Sequence, residues 1–302
     1  MSKQKNTLLV ILGPTASGKT GVAIELAKHF NCEIISADSR QFYKEIPIGT
    51  AAPDEKQLSE VKHHFIGNLS IFDEYNVSQF EHDVLDLLNV KFKENPLMIM
   101  TGGSGLYIDA VCNGIDDLPD PDEKLREKLK RKLQQHGIES LQQQLKELDP
   151  VYYDQVDLQN PQRLLRAIEV CIQTGKPYSE LRKSKSAERD FNIIKIGLNL
   201  PREKLYNQIN LRTEIMIKNG WLNEAKAVFK YKHLNSLNTV GYKELFKYLS
   251  NEWTFELAIE KIKTNTRRYA KRQITWFKRD DEIHWFAPQD TKEIIRFIKG
   301  IM

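Results

Sequence analysis

Eight consecutive residues near the start of the chain have the composition and spacing of a phosphate-binding loop. Gly13–Thr20 reads GPTASGKT, two glycines separated by four residues and followed by Lys and Thr. In such a loop the backbone N–H groups surround a phosphate, the next helix adds positive potential, and the lysine supplies a charge. The sequence therefore predicts a phosphate or diphosphate site, with the Thr20 hydroxyl as a ligand of Mg²⁺, formed by Gly13, Pro14, Thr15, Ala16, Ser17, Gly18, Lys19 and Thr20.

Asp38 directly follows a second apolar run, Glu33–Ala37. In an open α/β sheet, ligands bind beyond the carboxyl ends of the strands, so this carboxylate is expected to face the phosphate or its reaction partner. That position makes Asp38 a candidate general base. Asp38 and Ser39 are also good capping residues for a turn or a helix, and the local sequence leaves both interpretations open.

A third glycine-rich segment, Thr101–Tyr107 (TGGSGLY), follows the apolar run Pro96–Met100. Its glycines allow close approach of the backbone to a ligand, although a simple strand-to-helix turn would have the same composition. An ATPase or kinase usually carries a metal-binding Asp at this point. The missing acid argues against ATP chemistry, unless Asp38 serves instead, and a diphosphate ester would suit the loop equally well.

Apolar strands alternate with helices in the first third of the chain, which indicates a parallel sheet covered on both faces. The fold class predicted is α/β, a parallel-sheet core of the phosphate-loop NTPase type flanked by helices, with a smaller all-helical insertion domain. The core is expected at 1–115 and 190–302 and the insertion at 116–189. The predicted elements are strands at Leu8–Leu12, Glu33–Ala37, Pro96–Met100, Phe191–Leu200 and Ile283–Phe286, and helices at Gly18–Phe30, Val77–Phe92 and Thr254–Arg279.

The long helix predicted near the C-terminus is rich in cations interleaved with aromatic residues. A period of about 3.6 residues brings several of these cations onto neighbouring faces, which suits a nucleic-acid backbone. A solvated surface helix is the alternative. The cations are Lys261, Lys263, Arg267, Arg268, Lys271, Arg272, Lys278 and Arg279.

Composition excludes several classes of protein. The 302 residues are 40% hydrophobic and 28% charged with a net charge of +4, and no apolar run approaches the roughly 18 to 20 residues of a membrane span. The segment before Leu12 is too short for a signal peptide, so we expect a cytoplasmic protein with no membrane association. The three cysteines show no metal or disulfide spacing. His63 and His64 invite a metal interpretation, but a structural or substrate-contact role is favoured because no Cys or carboxylate cluster accompanies them.

Taken in order, these segments resemble one family. The motifs are GPTASGKT, Asp38-Ser39-Arg40-Gln41 with Tyr43, Ile48-Gly49-Thr50-Ala51, TGGSGLY, Asn160-Pro161-Gln162-Arg163, Val240-Gly241-Tyr242 and Tyr269-Ala270-Lys271-Arg272-Gln273. Over nearly the whole chain they resemble the tRNA dimethylallyltransferases, also called bacterial-type tRNA isopentenyltransferases.

This resemblance implies transfer of dimethylallyl from its diphosphate to N6 of adenosine 37, in tRNAs that read codons beginning with U, with Mg²⁺ and without ATP. By the resemblance, Asp38 accepts the N6 proton, and Lys19, Thr20, Mg²⁺ and Arg212 neutralise the departing diphosphate. Ser104, where the family more often has Thr, is similar to a residue that touches the target nucleotide.

The resemblance also implies that the helical insertion contacts the tRNA anticodon stem-loop and that the enzyme is a monomer. The implied catalytic residues are Asp38, Ser104, Lys19 and Arg212. The implied tRNA-binding residues are Asp38, Ser39, Arg40, Gln41, Ser104, Arg126, Asn160, Pro161, Gln162, Arg163, Thr239, Val240, Gly241, Tyr242, Lys243 and Glu244.

Three other functions fit part of the sequence. A small-molecule kinase or ATPase shares the loop, but would need an acid for the γ-phosphate metal. An adenylate isopentenyltransferase shares the chemistry, but a mononucleotide acceptor requires neither the insertion nor the basic helix. A tRNA-binding module without catalysis would not need Lys19, Thr20 and Asp38 together.

Overall fold

The computed structural model describes residues 6–116, 118–182 and 187–302. Positions 1–5, in the predicted core, and 117 and 183–186, in the predicted insertion, lie outside the described residues. Contacts divide the chain into unit 1 (Met1–Cys112 with Glu188–Met302) and unit 2 (Asn113–Ala187). Arg189, which sequence analysis put in the insertion, groups with unit 1 because it donates hydrogen bonds to the carbonyls of Val111 and Ala110.

Unit 1 is built on a sheet of parallel strands in the order β3-β2-β4-β1-β5-β6. All of β1 is buried between β4 and β5, which explains its uninterrupted apolar sequence. The predicted α/β class with a parallel sheet is confirmed. The strands are β1 (Thr7–Leu12), β2 (Ile34–Ser36), β3 (His63–His64), β4 (Leu97–Gly102), β5 (Asn192–Leu198) and β6 (His284–Phe286).

Helices cover both faces of this sheet. Leu8 and Val10 belong to one apolar core and Leu9 and Ile11 to another, because alternate side chains of a strand point to opposite faces. The helices are α1 (Lys19–Phe30), α2 (Glu55–Glu60), α3 (Val77–Lys91), α4 (Gly105–Asn113), α10 (Arg202–Lys218), α11 (Trp221–Val228), α12 (Tyr242–Leu249), α13 (Phe255–Phe277) and α14 (Thr291–Ile301). Among the described residues, no helix is long and apolar enough to cross a membrane.

The described part of unit 2 is helical and has its own apolar core. Leu141, Leu145, Leu164 and Ile168 are fully buried there, and the two residues on each helix are four apart, a spacing of amphipathic helices. Its helices are α5 (Glu123–His136), α6 (Glu139–Leu148), α7 (Pro150–Tyr153), α8 (Pro161–Thr174) and α9 (Tyr178–Leu181).

Candidate functional site

Three loops that carry candidate functional residues leave the sheet at the same edge. Leu12, the last residue of β1, is the register partner of Gly102, the last residue of β4. After β2, the Ala37 N–H donates to the Thr101 carbonyl over 2.7 Å. Because these parallel strands are neighbours, the segments that begin at Gly13, Asp38 and Gly103 are adjacent, as expected at the carboxyl edge of an open α/β sheet.

The phosphate loop, Gly13–Thr20, connects β1 to α1 in a conformation that depends on its glycines. Gly13 and Gly18 have φ angles of 150° and 87°. L-residues that carry a side chain rarely adopt these values. A Cβ on Gly13 would also lie 2.4 Å from the Leu198 carbonyl oxygen. Lys19 Nζ donates to the Pro14 carbonyl over 2.8 Å, and this bond folds the lysine beneath the loop.

Two cations lie close together at this loop. Burial, followed by the charge of Arg212, lowers the pKa of Lys19 to about 7, while Asp38 acts in the opposite direction. Burial also lowers the pKa of Arg212, which Asp38 again opposes. The Arg212 guanidinium donates to the Thr15 hydroxyl. Both side chains are partly buried. Adjacent cations repel each other and lose hydration in such a site, so this arrangement is stabilised by a polyanion such as diphosphate.

The segment that begins at Asp38 is hydrogen-bonded, through Ser39, to the loop that follows β4. Its carboxylate accepts a hydrogen bond from the Arg40 N–H over 3.0 Å. The Ser104 hydroxyl accepts from the Ser39 N–H over 3.0 Å and donates to the Ser39 hydroxyl over 3.2 Å. Asp38 therefore stabilises a local turn and also carries a charge that acts on Lys19 and Arg212, so the two interpretations of this residue are compatible.

Tyr269, on α13, shares this environment and was not selected as a site residue by sequence analysis. Burial, followed by the Asp38 carboxylate, raises the pKa of Tyr269 to about 12, although a hydrogen bond with Ser104 acts in the opposite direction. The tyrosine is therefore a neutral phenol beside the candidate base. It lies in one of the quoted motifs, but only the fold shows that it is close to Asp38.

Gln41 is held by contacts within unit 1. Its side-chain oxygen accepts from the Ser36 hydroxyl over 3.0 Å, and its side-chain nitrogen donates to the carbonyls of Thr50 and Ala51 over 3.3 and 3.1 Å. Gln41 thus fixes the Ile48–Ala51 loop relative to β2. Contact of Ser39, Arg40 and Gln41 with tRNA stays a prediction.

The predicted tRNA-binding segment Thr239–Glu244 contains residues with structural roles in unit 1. Tyr242 is fully buried in an apolar core and its hydroxyl is bonded to the Glu224 carboxylate. Glu244 is also buried and accepts from the Gly241 N–H over 2.6 Å and from Asn265 over 2.7 Å. These contacts are internal to unit 1, and Gly241 is also buried; tRNA contact by Gly241, Tyr242 and Glu244 stays a prediction. So does contact by Thr239, Val240 and Lys243.

Glu224, which sequence analysis missed, anchors a loop from far along the chain. Its carboxylate accepts from the N–H groups of Ile48 and Gly49 over 2.8 and 2.7 Å. The two partners lie 176 and 175 residues away in sequence, so no local spacing could have predicted the contact. A Cβ on Gly49 would lie 2.2 Å from Trp221 Nε1, which explains the glycine.

Predicted tRNA-binding residues in unit 2 have structural roles there. Arg126 donates over 2.6 Å to Glu169, a buried carboxylate. Asn160 caps α8 by accepting from the Arg163 N–H over 3.3 Å, and Pro161 occupies the first turn, a favourable position for proline. Gln162 and Arg163 are exposed. RNA contact by these residues stays a prediction.

Two of the eight cations predicted on the C-terminal helix are bonded within unit 1, and the other six are exposed. Lys263 forms an ion pair with Glu214 at 2.9 Å, and Arg267 donates to Asn210 over 2.8 Å. Exposed Lys261, Arg268 and Arg272 are spaced by seven and four residues, which places them on one face of α13. We call these three residues the basic stripe.

Metal-ligating side chains are sparse. Among the described residues, no group of three or more His, Cys, Asp or Glu residues could hold a metal ion. His64 is bonded to Glu33 at 2.5 Å and His63 to the Val61 carbonyl at 2.8 Å, which favours the structural interpretation of both. Thr20, in the first turn of α1, offers a hydroxyl. That donor set fits Mg²⁺ bound mainly through substrate phosphates and water, because Mg²⁺ rarely uses an all-protein cage.

Comparison with known proteins gives consistent matches. A family model described as IPP transferase matches residues 41–280. The tRNA dimethylallyltransferase 1 of Phocaeicola vulgatus is 50% identical over 296 residues, 98% of this chain and 99% of that protein. The tRNA dimethylallyltransferase 2 of Parabacteroides distasonis is 51% identical over 289 residues, 96% and 97% of the two chains.

Solved structures resemble the chain over similar lengths. The tRNA isopentenylpyrophosphate transferase of Bacillus halodurans has a TM-score of 0.72 and 34% identity, over 98% of this chain and 96% of that one. A eukaryotic dimethylallyltransferase acting on tRNA has a TM-score of 0.78 and 26% identity, over 94% of this chain and 74% of that one. The similarity thus includes both the phosphate loop and the segments that follow it.

Proposed function

Because the chain belongs to the IPP transferase family, we propose that it transfers dimethylallyl from dimethylallyl diphosphate to N6 of adenosine 37 in tRNA. The observation that carries this proposal is the position of Asp38. Its carboxylate influences the pKa of both Lys19 and Arg212, so one potential proton acceptor lies beside an anion site. Relatives named tRNA dimethylallyltransferase, about half identical along nearly their whole length, support the choice of substrates.

The reaction needs one bond to form and one to break. The N6 amine of adenosine attacks the first carbon of the allyl group, the bond between that carbon and the diphosphate oxygen breaks, and Asp38 accepts the proton that N6 loses. Diphosphate leaves with the electron pair of the broken bond. Lys19, Arg212 and the backbone N–H groups of the phosphate loop stabilise its negative charge, which increases as the bond breaks.

Three further groups assist in this scheme. The Thr20 hydroxyl would hold Mg²⁺, which neutralises diphosphate charge when it is bound. The Ser104 hydroxyl, bonded to both the N–H and the hydroxyl of Ser39, lies next to the base and would contact the target nucleotide. Neutral Tyr269 adds a phenol to the same wall without adding charge.

The acceptor is proposed to be an anticodon stem-loop rather than a free nucleotide. The basic stripe on α13 offers cations to a phosphate backbone, and unit 2 is proposed to contact the stem-loop through Arg126 and Asn160–Arg163. Adenosine 37 must leave its stack to reach Asp38, as bases do in other modifying enzymes. One chain carries all of these residues, so we propose a monomer that acts in the cytoplasm, where tRNA is used.

The test is an acceptor comparison. Labelled dimethylallyl diphosphate and Mg²⁺ are incubated with the protein and either unmodified stem-loops with adenosines at positions 36 to 38, or AMP. Label on the RNA supports the proposal. Label on AMP alone would assign the protein to free cytokinin synthesis. No transfer, together with ATP turnover, would assign it to the kinases or ATPases.

A further inference from the structure

One buried side chain joins the phosphate loop to the loop that follows β4. Gln273, on α13, is 6% exposed. Its side-chain oxygen accepts a hydrogen bond from the Thr15 N–H over 2.8 Å, and its side-chain nitrogen donates to the Gly103 carbonyl over 2.8 Å. These partners lie 258 and 170 residues away along the chain. The contact therefore depends wholly on the fold.

The helix that carries Gln273 is fixed against the same loop at two successive turns. A Cβ on Gly103 would lie 2.3 Å from Gln273 Nε2, and a Cβ on Gly105 would lie 2.4 Å from Trp276 Cδ1. Trp276 donates in turn to Asp109 over 2.9 Å. The glycines thus permit close approach of α13, and the amide of Gln273 has little freedom to move.

The two hydrogen bonds of Gln273 connect the loop proposed to bind the diphosphate with the residues proposed to act on the acceptor. Thr15 lies in the phosphate loop, where its hydroxyl accepts from Arg212. Gly103 precedes Ser104, whose hydroxyl is bonded to Ser39, the neighbour of Asp38. A continuous series of hydrogen bonds and chain neighbours therefore connects the phosphate loop, through Gln273, to the candidate base Asp38.

We propose that Gln273 is a positioning residue that fixes the distance of the phosphate loop from Ser104 and Asp38. This inference rests on the proposed function, since it concerns the distance between the donor and the acceptor. The position suits an amide because the uncharged end of a glutamine presents an N–H donor and a carbonyl acceptor on separate atoms, one for each loop. Glutamate would keep the acceptor alone, and methionine, of similar size, would keep neither.

The kinetic test compares Gln273→Met with Ser236→Ala. Ser236 is a matched control: it is buried, and its hydroxyl makes a long-range bond to the Ile71 carbonyl at 2.7 Å, away from the loops. We expect Gln273→Met to lower the maximal single-turnover rate of transfer by about 10-fold to 100-fold, the effect of slightly misplaced reactants. The dissociation constant of inorganic diphosphate should change much less. Ser236→Ala should leave both quantities unchanged.

Amide hydrogen exchange provides a measurement that does not need activity. In Gln273→Met, exchange should accelerate in both 13–18 and 101–105. In Gln273→Glu, which keeps the acceptor, only 101–105 should accelerate. A general loss of stability would not separate the two loops in this way.

Two results would overturn the inference. One is a transfer rate in Gln273→Met equal to that in Ser236→Ala, and the other is unchanged exchange in both loops. If the unsubstituted protein transfers no dimethylallyl group, the proposed function fails by itself, and the exchange measurement still decides whether Gln273 holds the two loops together.

Discussion

At the scale of single residues, the charge on Lys19 is set by its neighbours. Its pKa of about 7 results from burial and from the charge of Arg212, with Asp38 opposing them. Above this pKa the free protein holds Lys19 largely neutral. An anion bound to the loop favours the charged form, so binding should draw a proton from solvent.

Diphosphate binding at pH 8 should therefore be accompanied by proton uptake. We expect the protein to take up about one proton more than Lys19→Arg, whose guanidinium is charged at every working pH. Affinity for diphosphate should weaken as pH rises through 7 in the unsubstituted protein, and less so in Lys19→Arg. Calorimetry in buffers of different ionisation enthalpy measures the uptake. Equal uptake by the two proteins would contradict the low pKa.

The site residues that sequence could predict are those with a local signature. The phosphate loop has fixed spacing and lies between a strand and a helix, and Asp38 and Ser104 follow from the order of motifs. Gln273 lies in one of the quoted motifs, but neither its role nor that of Glu224 could be predicted in this way. Each acts through hydrogen bonds to backbone groups more than 150 residues away, and a polar residue on a helix carries no sign of such a partner.

At the scale of secondary-structure elements, α13 has a buried face and an exposed, basic face. Ala270, Gln273 and Phe277 are buried, whereas the basic stripe is exposed. The helix thus packs with one face against the phosphate loop and the loop that follows β4, and it exposes cations on the other face. Lys263 and Arg267, which sequence analysis grouped with the stripe, are instead paired within unit 1.

We predict that the double variant Arg268→Ala with Arg272→Ala weakens stem-loop binding and lowers its salt dependence. Each lost phosphate contact should reduce the slope of log affinity against log salt by about one. Filter binding at several salt concentrations measures the slope. Arg296→Ala on α14 is the control, since this exposed cation lies outside the stripe. An unchanged slope in the double variant would assign the stripe to a solvated surface.

The buried Tyr242, in the first turn of α12, should contribute to the stability of the protein. Tyr242→Phe removes the hydroxyl bonded to the buried Glu224 carboxylate, so the free energy of unfolding should fall by about 1 to 3 kcal/mol. Urea denaturation should show a lower midpoint with an unchanged slope. Stem-loop affinity should stay the same. A loss of affinity without a loss of stability would identify Tyr242 as an RNA contact.

Sequence predicted the positions of five of the six strands described for unit 1, because buried strands are continuous apolar runs, and of three of its described helices, α1, α3 and α13, because helices repeat every 3.6 residues. It missed β3, whose two residues, His63 and His64, are too few to show a period. It also ended β4 at Met100, although the strand continues to Gly102. Glycine is rare in strands, but here a Cβ on Gly102 would lie 2.3 Å from the Ala37 carbonyl oxygen.

At the scale of the whole molecule, the two units have separate apolar cores. The phosphate loop, Asp38, Arg212 and Gln273 all belong to unit 1. Unit 2 begins and ends at neighbouring points, since the Ala187 N–H donates to the Asn113 carbonyl over 2.7 Å. Unit 2 therefore has the connectivity of an inserted domain.

We predict that replacing 113–187 by a short flexible linker leaves diphosphate binding intact and removes most stem-loop affinity. The linker needs to span only a short distance, because the ends of the insertion are hydrogen-bonded neighbours. Calorimetry with diphosphate and filter binding with RNA measure the two effects. Unchanged RNA affinity would contradict the proposed role of unit 2.

The central claim is that Asp38 accepts a proton as dimethylallyl passes from the diphosphate to adenosine 37. The most direct measurement digests the RNA product and locates the added group by mass spectrometry, for the unsubstituted protein and for Asp38→Asn. We expect one dimethylallyl group on adenosine 37 for each diphosphate released, and a rate about 100-fold to 10,000-fold lower in Asp38→Asn, the usual contribution of a general base. A group attached to another nucleotide, or an undiminished rate in Asp38→Asn, would contradict the claim.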